Sequence, residues 1–150
     1  MPPVDDEALA FFNNLSGRLR IELDPPAAAF VPHMLNLAAA PGARITALRL
    51  EMNVLEDVDV RPLTDDEWAR VVIHAPRLRM VSCESENVET SHQPPDGAAF
   101  TVRDLARAIE ETERRGRGES EWLGGIDVHH VYFEGIEEDD GGVWYVNWGS

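Results

Sequence analysis

The chain has 150 residues, enough for one domain with a substantial core, and 43% of them are hydrophobic and 27% charged, as in an ordinary soluble globular chain. Its formal net charge of −15 comes from 28 acidic and 13 basic side chains, and every basic one is arginine. A surface this acidic repels phosphate backbones, which excludes nucleic acid as a partner and favours a basic protein.

In chain order, residues 5–16 read as a helix. Asp5 or Asp6 caps it, Leu9, Phe12 and Leu15 share a face, and Gly17 supplies the stop. Residues 18–23 alternate as a half-buried strand and end at Asp24-Pro25-Pro26. Pro32 suits a first helical position, which predicts a short helix over 33–40. A strand follows over 45–54, then an acidic loop over 56–62. Thr64 and Glu67 form a capping box, so a helix starts there, buries Trp68, Val71, Val72 and Ala75, and stops at Pro76.

A third strand begins at Leu78, and the polar stretch 84–99 reads as a loop. Residues 100–115 give the strongest helical pattern, opened by the capping box of Thr101 and Asp104 and closed by Gly116 and Gly118. Residues 128–134 and 143–148 flank the polar turn E-E-D-D-G-G and form a hairpin. Trp122, Trp144 and Trp148 crowd this end, where they would seal an exposed core. Cys83 is the only cysteine, so no internal disulfide forms. No apolar run nears 18 residues, and the acidic N-terminus is no signal peptide. The expectation is a cytoplasmic protein with no membrane partner.

The sequence I-T-A-L-R-L-E-M-N-V-L over 45–55 places Ile45, Leu48, Leu50, Asn53 and Leu55 in the pattern L-x-x-L-x-L-x-x-N-x-L. Leu19-Arg20-Ile21-Glu22-Leu23 echoes its centre 29 residues upstream of Leu48, and Leu78-Arg79-Met80-Val81-Ser82 echoes it 30 residues downstream. Such a period marks a repeated supersecondary unit, because one strand with one helix cannot bury its apolar face alone. The motif resembles leucine-rich repeats of the ribonuclease-inhibitor kind over about 18–84. That resemblance implies parallel strands lining one face and the binding of another protein there. The expected fold is therefore an α/β repeat sheet with helices on one side and a C-terminal β-hairpin, a single domain over 1–150. The alternative is an α+β domain with a mixed sheet.

Stacking in register would align Arg20, Arg49 and Arg79 in one outward column and Glu22, Glu51 and Val81 in another. His130 and Tyr132 would extend the columns, with Glu134 on the face of His130. Arg and Tyr are favoured interface anchors, so these residues are the candidate binding set: Arg20, Glu22, Arg49, Glu51, Arg79, His130, Tyr132 and Glu134. Adjacent His129 and His130 in a strand point to opposite faces and cannot chelate one ion together. No catalytic or metal-binding motif is present, so neither catalysis, cofactor nor metal is expected. In size, acidity and lack of catalytic motif the chain also resembles bacterial immunity proteins that neutralise polymorphic toxins. This implies an inhibitor that occludes a basic partner. The alternatives are a small enzyme or metal-dependent protein using His129, His130 or Cys83, and a structural scaffold module.

Overall fold

The protein is known from a computed structural model that describes residues 3–24, 44–118 and 126–149. The helix expected over 33–40 and the residue Trp122 lie outside the described residues. The first helix, α1 (Asp6–Asn13), begins as the sequence indicates: Asp5 caps it, its Oδ1 accepting from Ala8 N at 3.0 Å. Ala8 and Phe12, one turn apart, are buried. Asn14 closes the helix, and Gly17 lies inside the following strand, β1 (Ser16–Asp24).

β1 pairs with β2 (Arg44–Glu56), and here the repeat expectation is corrected. The two strands run antiparallel, with Leu19 opposite Leu50, Arg20 opposite Arg49 and Ile21 opposite Leu48. Stacked leucine-rich repeats need parallel strands. An apolar-polar alternation satisfies either direction equally, so the shared Leu-Arg-Leu accent carries no information on strand polarity.

The acidic stretch after β2 is also a strand, β3 (Asp59–Pro62), turned back on β2 through Asp57, which has φ 51°. The Thr64–Glu67 capping box forms, with Glu67 N donating to Thr64 Oγ1 at 3.1 Å and Thr64 N to Glu67 Oε1 at 2.9 Å. It opens only one turn, α2 (Asp65–Trp68), where the sequence suggested a helix to residue 75. Val71, Val72 and Ile73 are β-branched and form β4 (Val71–Ile73) instead. β5 (Leu78–Ser82) appears as expected. The stretch read as a loop over 84–99 holds β6 (Ser85–His92), and the first two residues of the helix read over 100–115 form β7 (Phe100–Thr101), which pairs with β4. The helix α3 (Val102–Gly118) runs to the second of its two closing glycines. Its capping box is intact, Asp104 N donating to Thr101 Oγ1 at 3.1 Å and Thr101 N to Asp104 Oδ2 at 3.0 Å. The hairpin of β8 (Tyr132–Glu138) and β9 (Val143–Gly149) closes the chain.

Among the described residues seven strands form one sheet in the order β3-β2-β1-β8-β9-β5-β6, and only the β5–β9 pair is parallel. The class is α+β with a mixed sheet. α1 and α3 cover one face. Phe12 meets Phe133 edge-on at 5.4 Å, and α3 buries Val102, Leu105, Ile109 and Thr112 toward the core. Trp144 and Trp148 belong to this core in β9, flanked by β8 and β5, rather than sealing an end.

Two side chains stand in for missing strand partners. Glu110 of α3 accepts from Leu50 N at 2.8 Å, where β2 extends beyond β3. Asn13 of α1 both donates to Ile136 O at 3.0 Å and accepts from Ile136 N at 2.9 Å. The second pair sits at the irregularity between Phe133 and Ile136, where Gly135 takes φ 102°. Leu50 is only 6% exposed and packs in the core. Leu50→Ala should therefore lower the unfolding free energy by about 2–5 kcal/mol in urea titration.

Candidate functional site

On β1 and β2 the odd-even alternation sends Leu19, Leu50 and Met52 toward the helices and Arg18, Arg20, Glu22, Arg49 and Glu51 outward. The like charges of Arg20 and Arg49 face each other across the strands, and Glu51 relieves them. Its carboxylate accepts from Arg20 Nε at 3.0 Å and from Arg49 Nη2 at 3.4 Å. The hydrogen bond from Arg20 holds the Glu51 carboxyl below its usual range. With Val128 and Val131 these residues line a shallow depression of about 370 Å³. Four of the eight candidate residues, Arg20, Glu22, Arg49 and Glu51, thus come together.

The other four are placed differently. Tyr132, 47% exposed, stands opposite Arg18, outside both expected columns, with the guanidinium 5.7 Å from the ring centre. Glu134 lies on the same face, its carboxylate over Gly149, the residue opposite Tyr132. Arg79 also faces outward, but β8 and β9 separate it from β1, which puts it three strand spacings, about 14 Å, from the Arg20 column. It is held by the carbonyl of Gly141 and by Glu89 at 3.7 Å.

His130 leaves the face altogether. β8 begins at Tyr132, so His129 and His130 belong to the turn before it. Asp127 makes that turn: its Oδ1 accepts from His129 N at 2.8 Å and His130 N at 3.2 Å, and its Oδ2 meets His130 Nδ1 at 2.7 Å. The expectation that the two histidines point to opposite faces of a strand is corrected. Their rings meet edge-on with centroids 5.1 Å apart.

No protein-family model matches this chain, and neither does a curated protein or a solved structure.

The outer face carries further residues that the sequence reading passed over. Leu55 and Val60, opposite each other on β2 and β3, are 58% and 55% exposed and continue the row of Arg49 and Glu51. The assignment of 56–62 to a loop hid this pair. The signal available was the alternation of Val58 and Val60 with Asp57 and Asp59. At the β8–β9 end the face turns acidic, where Glu137, Glu138 and Asp139 line a depression with Tyr145.

Behind His130 lies a partly buried polar cluster. Glu84 Oε2 is 3.6 Å from His130 Nδ1, and its carboxyl also contacts Asp127. Burial and the neighbouring Asp127 push Glu84 up. Burial acts the same way on Asp127, but hydrogen bonds from Glu84 and from His129 and His130 outweigh it and hold Asp127 below its usual range. The two carboxyl groups thus titrate as a coupled pair, with Glu84 shifted up and Asp127 shifted down. Beside it, burial pushes the Cys83 thiol up to about 12, which keeps it protonated.

A fully buried ion pair underlies the cluster. Arg117 Nε donates to Glu113 Oε1 at 2.8 Å, Nη1 to Asp127 O at 3.0 Å and Nη2 to His130 O, and its guanidinium stacks 5.3 Å from the Trp148 ring centre. Glu113 also accepts from Ser82 Oγ at 2.8 Å. Burial pushes the Glu113 carboxyl up against the pull of Arg117 and Ser82. Trp148 Nε1 faces it from outside hydrogen-bonding geometry. Replacing Arg117 by Met would strand the carboxylate, and urea titration of Arg117→Met should show a loss of about 3–5 kcal/mol.

His92 makes a separate buried network, its Nε2 2.8 Å from Thr90 Oγ1 and 2.9 Å from Thr112 Oγ1. Burial lowers its pKa below the ordinary 6.5. The unfolded chain then takes up this proton more readily than the folded one. The stabilising contribution is full above the unfolded value and is lost as pH falls through the folded value. The stability difference between the parent and His92→Gln should shrink as pH falls from 7 to 5, by at most about 1.4 kcal/mol per pH unit in urea titrations.

Proposed function

We propose that the protein is a small acidic binding module of immunity or inhibitor type, which neutralises a basic protein partner by occlusion with the outer face of its sheet. The observation that carries this reading is the make-up of that face. Among the described residues no helix covers it, and it gathers exposed Tyr132, Leu55 and Val60 around the Arg20–Glu51–Arg49 ladder. Aromatic residues and arginine supply the anchors of protein interfaces, and an ordered charge ladder supplies register. The acidic end of the face, Glu134, Glu137 and Glu138, suits lysine or arginine side chains on the partner.

The net charge of −15 steers a basic protein into encounter and repels nucleic acid. No described helix is long and apolar enough to cross a membrane. A lone free cysteine suits a reducing compartment, so the cytoplasm is the proposed location. Cys83 speaks against a thiol enzyme, since a nucleophile needs the thiolate that burial disfavours here.

The test uses a basic partner protein sought by pull-down from the source lysate or in the neighbouring reading frame, with binding followed by surface-immobilised kinetics. Raising salt from about 0.05 to 0.5 M should slow association markedly and leave dissociation nearly unchanged. Tyr132→Ala should speed dissociation, costing about 2 kcal/mol as an anchor, while Arg115→Ala on α3 should do little. Unchanged dissociation with both Tyr132→Ala and Leu55→Ser would remove the outer face from the reading.

A further inference from the structure

We propose that Glu84, Asp127 and His130 form a binding site for a first-row divalent cation such as zinc. Their donor atoms, Glu84 Oε2, Asp127 Oδ2 and His130 Nδ1, lie within 4.8 Å of one another. A cation about 2.1 Å from two donors at a tetrahedral angle holds them about 3.4 Å apart. The separations from Nδ1, 2.7 Å to Asp127 and 3.6 Å to Glu84, bracket that value, so the ion is admitted when the ring and the Asp127 carboxylate part by about 0.7 Å.

The geometry is also fixed from behind. Asp127 and His130 sit in a turn whose two carbonyls are both gripped by Arg117, itself locked to Glu113 of α3. The two backbone N–H groups on Asp127 Oδ1 aim Oδ2 at the ring. Such outer contacts are what orient metal ligands. Glu84 arrives from the far side, in the turn between β5 and β6.

Charge points the same way. Two carboxyl groups touch here, with the Asp127 side chain 1% exposed and that of Glu84 16% exposed. Like charges so placed require a proton or a cation between them. On binding, any proton held between the two carboxyl groups leaves for solvent as the ion takes its place, and the ion coordinates the His130 ring through Nδ1 with the ring hydrogen on Nε2. The ion is then balanced by two carboxylates.

One imidazole nitrogen with two carboxylate oxygens selects first-row dications over calcium or magnesium, which prefer all-oxygen sets. Three protein ligands leave a position for water, and the 30% exposure of the His130 side chain provides the route from solvent. The premise that set histidines aside, a strand sending His129 and His130 apart, does not hold in this turn.

The test is calorimetric titration of the full-length, chelator-stripped protein with zinc chloride at pH 7, after circular dichroism has shown each variant folded. One equivalent should bind. Glu84→Gln and His130→Gln should each weaken it at least tenfold, and His74→Gln, an exposed histidine elsewhere, should not. Nitrogen resonances of the parent protein should show the His130 Nδ1 signal shifting with zinc, which tests the ligand without any substitution. Binding weaker than about 1 mM, an unmoved His130 Nδ1, or affinity unchanged in both Glu84→Gln and His130→Gln would overturn the site.

Discussion

The buried pair of Arg117 and Glu113 is the constraint on which the rest of the structure turns. Both side chains are fully removed from water, a cost offset here by the hydrogen bonds of Arg117 and of Glu113 Oε1, while Glu113 Oε2 is left with no hydrogen-bond partner among the described residues. Arg117 spends its donors on Glu113 and on the carbonyls of Asp127 and His130. Glu113 accepts from Ser82 as well. One helix is thereby tied to β5, to the turn before β8 and, through the stacked Trp148, to β9. Gly116 permits the approach: a Cβ there would meet Ser85 Cβ at 3.0 Å, and Ser85 Oγ donates to its carbonyl at 2.8 Å.

This tie explains why the two faces of the sheet differ so sharply. The inner face is filled by α1, α3 and the tryptophans of β9. Specificity there comes from polar groups matched one to one: Glu110 on Leu50, Asn13 on Ile136, Thr112 on Thr90 and His92. The outer face has exposed ion pairs, which contribute little to stability. Its tyrosine and its aliphatic pair, Leu55 and Val60, stay in water and so contribute little to folding.

The polar cluster at Glu84, Asp127 and His130 follows from the same tie. Holding the turn by its carbonyls fixes where Asp127 and His130 point. The β5–β6 turn then brings in Glu84 some forty positions earlier in the chain. The proposed cation site and the proposed partner-binding face are independent features of one scaffold. They share only the turn that ends at Tyr132.

Local chemistry was legible in the sequence wherever local chemistry decides the structure. The Asp5 cap, both capping boxes, the strands around Leu19, Leu50 and Met80, and the C-terminal hairpin all depend on neighbours a few residues away. The outward set Arg20, Glu22, Arg49 and Glu51 was legible for the same reason, since alternation alone assigns the face. Strand direction and order were not, because alternation is blind to both. Only the tertiary structure shows that β1 and β2 run antiparallel, that β8 and β9 intervene before Arg79, and that Val71–Ile73 leaves its helix to pair with β7. Arg117 and the Glu84–Asp127–His130 cluster were equally hidden. A buried ion pair and its clients are defined by contacts across distant segments, and nothing in the local pattern distinguishes them from solvated charge.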